Sequence, residues 1–323
     1  MKNFSSILLS LSRKSCFTAM ATPKKLKVAV LGPSGQCGQS VVNELLSRNH
    51  DVVGLSRNPP KTWTSTTNTG SYTAESVDVF DDSSLARAFS KGYDAIVCSY
   101  APPLGDFSKL YQLGVEGHAK IKTALLASDH KGPFVVIGGA GSLHCADRRQ
   151  LVDQPDFAFG WWYTWPSQHV EYMRVRASDH GASFFSRFIG GFAWARQTVE
   201  KTGLLSTVLR PFARLYLRWA KKFLTSNETI SLITQSRIAL RLWQGVTEKP
   251  WTFLSPPGQL RDKGVRTGQY RVYVDTAEDP AVEATERGIY NEDMAVAIVD
   301  EVEKNQLNWK HWTCTGPIDL GRW

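Results

Sequence analysis

The chain has 323 residues, of which 42% are apolar, enough to bury the core of one large domain or of two ordinary ones. It contains no run of eighteen or more uncharged apolar residues, so the sequence excludes a membrane-spanning helix. Its five cysteines are scattered and form no Cys-x-x-Cys pair, which argues against a disulfide-built secreted scaffold and predicts no metal site.

The formal net charge of +8 is concentrated in one segment of the chain. Residues 158–227 contain ten lysines or arginines and three acidic residues, a net charge of +7 that leaves +1 for the remainder. A nucleic-acid-binding protein would carry a basic stripe on a recognisable binding motif, and the sequence shows no such motif. We therefore predict no nucleic-acid partner, and the basic segment needs another explanation.

The N-terminal segment, residues 1–25, is basic and rich in serine, and the first acidic residue of the chain is Glu44. This composition is typical of a mitochondrial transit peptide. A disordered tail, with Met20 as an alternative start, is the competing interpretation. A secretory signal is disfavoured because Arg13 and Lys14 interrupt the apolar stretch. The expected location of the protein is therefore the mitochondrion or the cytoplasm.

From residue 26 onward, short β-branched runs alternate with stretches of helical spacing. The predicted elements are, in chain order, the strand KVAVL, a helix over 35–48, the strands DVVGL and ESVDV, a helix over 83–90, the strand DAIVC, a helix over 107–128, the strands PFVVIGG, WTFLSP and RVYVD, a helix over 291–304 and a strand over 311–314. This alternation predicts an α/β fold with a doubly wound parallel sheet, the Rossmann fold, formed by residues 26–157 and 231–323.

Residues 158–230 interrupt the alternation and hold five of the eleven tryptophans. Within them, residues 204–224 (LLSTVLRPFARLYLRWAKKFL) predict a basic amphipathic helix that Pro211 kinks or opens. The apolar stripe of this helix either packs over the sheet domain as a lid or lies on an anionic membrane surface, and packing is the more frequent use. We expect a helical, basic, tryptophan-rich insertion, with peripheral membrane contact through residues 204–224 as the alternative to a lid.

A glycine-rich turn, GPSGQCG, lies directly after the first strand and at the start of a helix. Glycines permit a tight turn and let backbone N–H groups approach a pyrophosphate, and the helix N-terminus adds partial positive charge. The spacing alone is a weak signal, but its position in a strand–turn–helix unit strengthens it. The turn therefore predicts a dinucleotide site formed by Gly32, Ser34, Gly35, Gln36, Cys37 and Gly38.

The end of the second strand bears on the choice between NAD and NADP. A carboxylate at this position binds the ribose 2'-hydroxyl of NAD, whereas a cation accommodates the 2'-phosphate of NADP. Ser56 and Arg57 follow the strand, and Asp51 lies at its other end. The predicted cofactor is therefore NADP, as NADPH, with NAD as the alternative if Arg57 is only a solvated loop residue.

The ends of the third and fourth strands supply further candidates, because ligands of open α/β sheets bind at the carboxyl ends of strands. Asp78 and Val79 are assigned to the adenine edge, and Ser99, Tyr100 and Ala101 to the ribose. A helix N-cap or turn acid is the competing interpretation of Asp78.

With these residues in place, the chain resembles the atypical short-chain dehydrogenase/reductase superfamily, and within it the NADH-flavin reductase, biliverdin reductase B and NmrA-like proteins. The resemblance is carried by KVAVLGPSGQCG, VIGGAGSL with LVDQPDF, WTFLSPPGQL with RTGQYRV, and EDMAVAIVDEVE. It implies an NADPH-binding Rossmann fold. It also implies that the nicotinamide lies near Gly138, Gly139 and Ala140 and near the turn of Ser255 and Pro256.

The Tyr-x-x-x-Lys pair of ordinary members of this superfamily is missing. None of the ten tyrosines has a lysine four residues later, and the nearest approach is Tyr172 with Arg176. Alcohol–carbonyl chemistry by that pair is therefore not expected. The remaining prediction is an oxidoreductase that passes hydride to a flat small-molecule acceptor, such as a flavin, quinone or tetrapyrrole, that needs no dedicated protein acid.

Ser142 is the candidate catalytic residue, as the hydroxyl best placed to orient an acceptor or to relay a proton. His144 is a second candidate, and turn chemistry is the competing interpretation of Ser142. The alternative function, of a different class, is a non-catalytic redox sensor of the NmrA type that binds the dinucleotide and changes its affinity for a protein partner or a membrane.

Overall fold

The computed structural model describes residues 24–64, 69–102 and 109–318. The predicted N-terminal segment lies outside the described residues except for its last two. The strands and helices are, in chain order, β1 Lys27–Leu31, α1 Gln36–Ser47, β2 Asp51–Ser56, β3 Ser71–Ser76, α2 Asp82–Phe89, β4 Ala95–Cys98, α3 Leu110–Ala127, β5 Phe134–Ile137, α4 Phe159–Thr164, α5 Ser167–Asp179, α6 Ser183–Glu200, α7 Leu204–Leu224, α8 Asn227–Trp243, β6 Trp251–Leu254, β7 Gln259–Arg261, β8 Arg271–Val274, α9 Val282–Glu286, β9 Gly288–Tyr290, α10 Asn291–Lys304 and β10 His311–Thr315. Among those helices, none combines the length and the apolar character that crossing a membrane requires.

Eight strands form one sheet in the order β3-β2-β1-β4-β5-β6-β10-β8. Every neighbouring pair is parallel except β10 with β8, which is antiparallel. The first six strands follow the order 3-2-1-4-5-6 of the Rossmann fold, so the predicted doubly wound sheet is confirmed. The short strands β7 and β9 pair separately, in parallel, and the sequence did not predict them.

The core has one layer on each face of the sheet, because successive side chains of a strand point to opposite faces. Along β1, Ala29 and Leu31 pack toward α2, α3 and α8, whereas Val28 and Val30 pack toward α1 and α10. Helices cover both faces, so the central strands are apolar throughout rather than alternating. Because the strands β1 to β6 and β10 are parallel, their carboxyl ends meet along the same edge of the sheet.

The helices α4 to α7 pack around an apolar cluster of their own, centred on Phe188, Phe192 and Trp162. The next helix, α8, leaves this cluster: Ile230 and Ile233 pack against it, and Trp243 lies in the core of the sheet domain. The predicted boundary between residues 230 and 231 thus falls inside one continuous helix.

The structure bears on two expectations for α7. The helix continues from Leu204 to Leu224 with Pro211 inside it, so the proline does not open it, and a kink at Pro211 stays a prediction. Its buried residues, Ala213, Leu217, Ala220 and Leu224, belong to the cluster of α4 to α7, and the predicted apolar stripe is largely exposed instead of covering the sheet as a lid.

The strand β3 is also displaced from its prediction. It spans Ser71–Ser76, whereas the motif ESVDV predicted residues 75–79. As the edge strand of the sheet it is mostly exposed and lacks the apolar run of a central strand, while Val77 and Val79 are buried just after it ends.

Candidate functional site

The glycine turn joins β1 to α1 and brings the backbone against the end of β4. Gly32 has a φ of +82°, and a Cβ built on it would lie 2.6 Å from the carbonyl oxygen of Ser99. A Cβ on Gly38 would lie 2.1 Å from the carbonyl oxygen of Gly32. Only glycine fits at both positions, so the turn holds α1 close to the sheet at the switch point between β1 and β4.

The first turn of α1 is open to an anionic ligand. Gly35 is the N-cap residue, no side-chain hydrogen bond caps the described helix, and its first turn has no acidic residue. The N–H groups of Gln36, Cys37 and Gly38 therefore lie at a helix end whose partial positive charge no carboxylate balances. Such an end fits the oxygens of a pyrophosphate, so these residues suit the group that the sequence assigned to them.

A cavity of about 370 Å³ lies beside this turn, where β1, β2, β3 and β4 end. It brings together ten of the predicted cofactor residues: Gly32, Ser34, Gly35, Ser56, Arg57, Asp78, Val79, Ser99, Tyr100 and Ala101. Five apolar residues complete its lining: Leu31, Leu55, Val77, Phe80 and Leu113. The sequence did not single out these five, because apolar residues at strand ends resemble core residues. A cavity with apolar walls and a polar rim suits a nucleoside.

Arg57 and Asp78 have different environments in this cavity. Arg57 is exposed and forms no ion pair with any described residue. The Asp78 carboxylate accepts the backbone N–H of Phe80 at 2.9 Å, the turn contact that the sequence left open as an alternative. The cation is therefore free to meet a ligand, whereas the carboxylate is partly satisfied within the chain.

The loop after β5 contains Gly138, Gly139 and Ala140, which are partly exposed. Helix α8 packs against this loop: a Cβ on Gly139 would lie 3.1 Å from Cβ of Ser236, and one on Gly141 would lie 2.7 Å from Cγ2 of Ile233. The sequence did not predict α8 at this place, because no motif links it to a loop about 95 residues earlier.

Ser255 and Pro256, which the resemblance also places near the nicotinamide, are both buried just after β6. Ser255 Oγ lies 2.7 Å from Ser142 Oγ and 2.7 Å from Nε2 of His311.

The predicted acceptor contact of Ser142 is corrected. Ser142 is fully buried, and its hydroxyl donates to the carbonyl oxygen of Gly139 at 2.8 Å. A hydroxyl inside the protein does not touch an acceptor, but it fixes the carbonyl of the loop that the resemblance places near the nicotinamide. Ser142 is therefore a positioning residue in this arrangement.

Asp275 lies between two histidines, and one of them, His311, is the residue that contacts Ser255. Its Oδ2 lies 2.9 Å from Nδ1 of His144 and 3.1 Å from Nδ1 of His311, and its Oδ1 accepts the backbone N–H of Ala281 at 2.9 Å. Burial alone would raise the pKa of Asp275, but the hydrogen bond from His144 and the nearby imidazole of His311 lower it to about 2. The carboxylate is thus ionised at neutral pH and orients His144, the second catalytic candidate.

The same three side chains form a group that could ligate a cation. Their ligand atoms lie within 4.8 Å of one another, and they line a cavity of about 460 Å³. Two imidazoles and one carboxylate suit a divalent transition metal. The carboxylate already accepts backbone N–H groups of His144 and Ala281, so hydrogen bonding accounts for the cluster without an ion.

A larger cavity, about 1060 Å³, lies between α5 and the segment after β7. Tyr172 Oη donates to Oδ1 of Asp262 at 2.8 Å, and Arg176 pairs with the other carboxylate oxygen. Burial raises the pKa of Tyr172, so this hydroxyl is no counterpart of the acidic tyrosine of a Tyr-x-x-x-Lys pair. The lining adds basic and aromatic groups: Arg261, Lys263, His180 and Tyr290.

One contact links this cavity to the glycine turn. Tyr290 lines its wall, and the next residue, Asn291, donates its side-chain amide to the carbonyl oxygen of Gln36 in the first turn of α1 at 3.3 Å. Residues of the turn line the 370 Å³ cavity directly, whereas the 1060 Å³ cavity is connected to the turn through Asn291.

Cys37 lies in the first turn of α1, where a helix N-terminus could activate a thiol. Burial dominates, however, and raises the pKa of Cys37 to about 12. We expect Cys37 in the native protein to react with iodoacetamide at pH 8 at least tenfold more slowly than in the urea-unfolded protein, as measured by peptide mass spectrometry. Equal rates in the two states would show that burial does not protect the thiol, and a faster rate in the native protein would show that the helix N-terminus activates it.

Comparison with protein families supports a nucleotide site. The family model described as NAD(P)H-binding matches residues 32–215, more than half of the chain. An uncharacterized protein of Bacillus subtilis strain 168, YwnB, is 28% identical over 134 residues, which are 41% of this chain and 57% of that protein. The chain thus matches little more than half the length of this curated relative.

Solved structures share the fold. A predicted exported protein from Burkholderia pseudomallei is 24% identical, with a TM-score of 0.52 over 90% of this chain and 99% of that one. A predicted NADH-flavin reductase from Streptococcus pneumoniae TIGR4 is 19% identical, with a TM-score of 0.57 over 90% and 100%. A predicted epimerase from Bacteroides thetaiotaomicron is also 19% identical, with a TM-score of 0.57 over 92% and 99%.

Proposed function

We propose that this chain, which belongs to the NAD(P)H-binding family, is an NADPH-dependent reductase that passes hydride to a flat acceptor. The observation that carries the proposal is the cavity at the switch point, where Arg57 is unpaired among the described residues beside an uncapped helix N-terminus. Family membership supports a nicotinamide cofactor. The preference for NADPH and the nature of the acceptor are the further steps that we propose.

The preference for NADPH rests on the charges at the end of β2. Arg57 lines the nucleoside cavity, and the carboxylate nearest in the lining, Asp78, accepts a hydrogen bond from Phe80. A guanidinium matches the geometry of a phosphate and adds charge-assisted hydrogen bonds. NADPH therefore gains an interaction at its 2'-phosphate that NADH lacks.

The acceptor site that we propose is the 1060 Å³ cavity between α5 and the segment after β7. Its lining includes the aromatic rings of Tyr172 and Tyr290 and the cations Arg176, Arg261 and Lys263, of which Arg176 pairs with Asp262 and Lys263 with Asp179. Aromatic rings bind a flat ring system, and cations bind its anionic substituents. A flavin mononucleotide fits this combination, and quinones and tetrapyrroles are alternatives of the same shape.

The residues of the chain bind, orient and exclude water in this mechanism. Bound NADPH would supply the hydride itself. The turn from Gly32 to Gly38 would hold its pyrophosphate, and Arg57 would hold the 2'-phosphate. Ser142 fixes the Gly139 carbonyl, and α8 packs over this loop and reduces its contact with water. Together these residues would hold the cofactor and the acceptor in position and interact with their charges, without a protein acid at the reacting atom.

The variant Arg57→Ala tests the cofactor preference. We expect its Kd for NADPH to rise roughly tenfold to a hundredfold, because a hydrogen bond to a charged group contributes about 1.5–3 kcal/mol. Its Kd for NADH should change by less than about threefold, because NADH has no 2'-phosphate for the guanidinium to bind. Quenching of tryptophan fluorescence during titration measures both constants.

The matched control for this variant is Arg287→Ala, which removes an exposed arginine just after α9. It should leave both constants unchanged. Equal losses of NADPH and NADH affinity in Arg57→Ala would contradict the assignment of the 2'-phosphate to this residue.

A further inference from the structure

Helix α7 carries an apolar face that the described part of the protein leaves exposed. The side chains of Leu204, Leu205, Val208, Phe212, Leu215 and Trp219 are each 46–86% exposed. At 3.6 residues per turn these six positions fall within an arc of roughly 100°, so they form one continuous stripe along the helix. A single exposed leucine needs no explanation, but a stripe that runs from Leu204 to Trp219 of a 21-residue helix marks an interaction surface.

This stripe is distinct from the face that holds α7 in place. The buried residues Ala213, Leu217, Ala220 and Leu224 lie on the far side of the helix and pack into the cluster of α4 to α7. The helix therefore has two apolar faces, of which one is already used for folding. Internal packing does not explain the other face.

The exposed face continues onto the neighbouring helix. Trp219 stacks on Phe223 with ring centroids 6.1 Å apart, and Phe223 lies 6.2 Å from Phe184 of α6. Phe184 is itself 61% exposed. Aromatic rings that pack against the protein on one side and face water on the other are characteristic of proteins that bind the headgroup region of a bilayer.

A third sector of α7 is basic. Arg214 and Arg218 lie beside the exposed stripe, Lys222 lies near its edge, and none of the three forms an ion pair with a described residue. The helix contains no acidic residue. An apolar face flanked by unpaired cations has the charge and the shape that an anionic lipid surface complements.

We propose that α7 lies on an anionic lipid bilayer, with its exposed apolar stripe in the headgroup region and Arg214, Arg218 and Lys222 against lipid phosphates. A second copy of the chain fits this face less well, because a symmetric contact would bring the same cations together. The inference is independent of the proposed reductase activity, since it uses no residue of the nucleotide site.

The test is sedimentation of the full chain with vesicles of 30% phosphatidylglycerol and 70% phosphatidylcholine. We expect binding that is at least tenfold tighter than to pure phosphatidylcholine and that weakens in 0.5 M salt. The double variant Phe212→Ser, Leu215→Ser should lose at least tenfold in affinity, and the double variant Arg214→Gln, Arg218→Gln should lose the preference for anionic vesicles.

The control is Val272→Ser, which removes an exposed apolar side chain from the edge strand β8 and should bind vesicles as the wild type does. Circular dichroism of every variant checks that the fold is retained. The proposal is overturned if the wild-type chain does not bind anionic vesicles, if it binds them through a face that the serine variant leaves unaffected, or if sedimentation velocity shows a dimer that the serine variant dissociates.

Discussion

Replacement of Gly38 by alanine is expected to reduce the affinity for NADPH by at least about a hundredfold, or about 2.7 kcal/mol. The added Cβ would lie 2.1 Å from the carbonyl oxygen of Gly32 and 3.0 Å from its carbonyl carbon. This neighbour is backbone and cannot rotate away, so the first turn of α1 must separate from the glycine turn. The N–H groups that we assign to the pyrophosphate would then lose their common orientation. Fluorescence titration with NADPH measures the loss.

The matched control for Gly38→Ala is Gly160→Ala in α4, where the nearest atom to an added Cβ is 3.8 Å away. It should bind NADPH normally and be as stable as the wild type or slightly more so. A second variant separates binding from folding: Ser34→Asp places a negative charge at an exposed position of the cavity rim without a steric clash. Ser34→Asp should retain its Tm and still bind NADPH more weakly. Wild-type affinity in both Gly38→Ala and Ser34→Asp would exclude the turn as the pyrophosphate site.

Replacement of Asp275 by asparagine is expected to lower the free energy of unfolding at pH 7 by about 3 kcal/mol, because it removes the charge from a buried, hydrogen-bonded network. The carboxylate lies against two histidines and accepts the N–H of Ala281. Through His311 and Ser255 the network also reaches Ser142 and the Gly139 carbonyl, so turnover should fall as well. Thermal unfolding and urea titration measure the stability loss.

The pH dependence of this loss follows from the pKa of Asp275, which is lowered to about 2 in the folded chain. A group with a depressed folded pKa contributes stability above its unfolded pKa, near 3.9, and this contribution is lost as the pH falls through the folded value. The difference between wild type and Asp275→Asn should thus be full at pH 5–7 and shrink between about pH 4 and pH 2. The control Asp279→Asn changes an exposed acid nearby and should cost little. A pH-independent difference would show that the carboxylate charge is not what stabilises the network.

The sequence could predict the Rossmann half of the fold because its signals are local. Strands such as AIVC and FVVI are short apolar runs, and helices such as α10 show 3.6-residue periodicity, so each element is specified by its own residues. The displaced β3 and the pair β7 and β9 were harder to predict, because edge and isolated strands are stabilised by their partners more than by an apolar run.

The residues that line the 370 Å³ cavity were also predictable, since Gly32, Arg57 and Ser99 each follow a recognisable strand. The surroundings of the loop after β5 were not, because they depend on tertiary contacts: α8 packs against Gly139 and Gly141, and Ser142 is buried behind Gly139. For α7, periodicity correctly predicted an amphipathic helix but could not show which apolar residues would be buried. Two apolar faces on one helix are distinguishable only once the neighbours are known.

The proposed reductase activity can be measured as the loss of 340 nm absorbance when the purified chain is mixed with NADPH, or separately with NADH, and a panel of flavins, quinones and biliverdin. We expect oxidation that depends on an acceptor, that is faster with NADPH than with NADH, and that loses this preference in Arg57→Ala. Tight binding of NADPH without turnover of any acceptor would contradict the reductase and favour a redox sensor that binds the same dinucleotide.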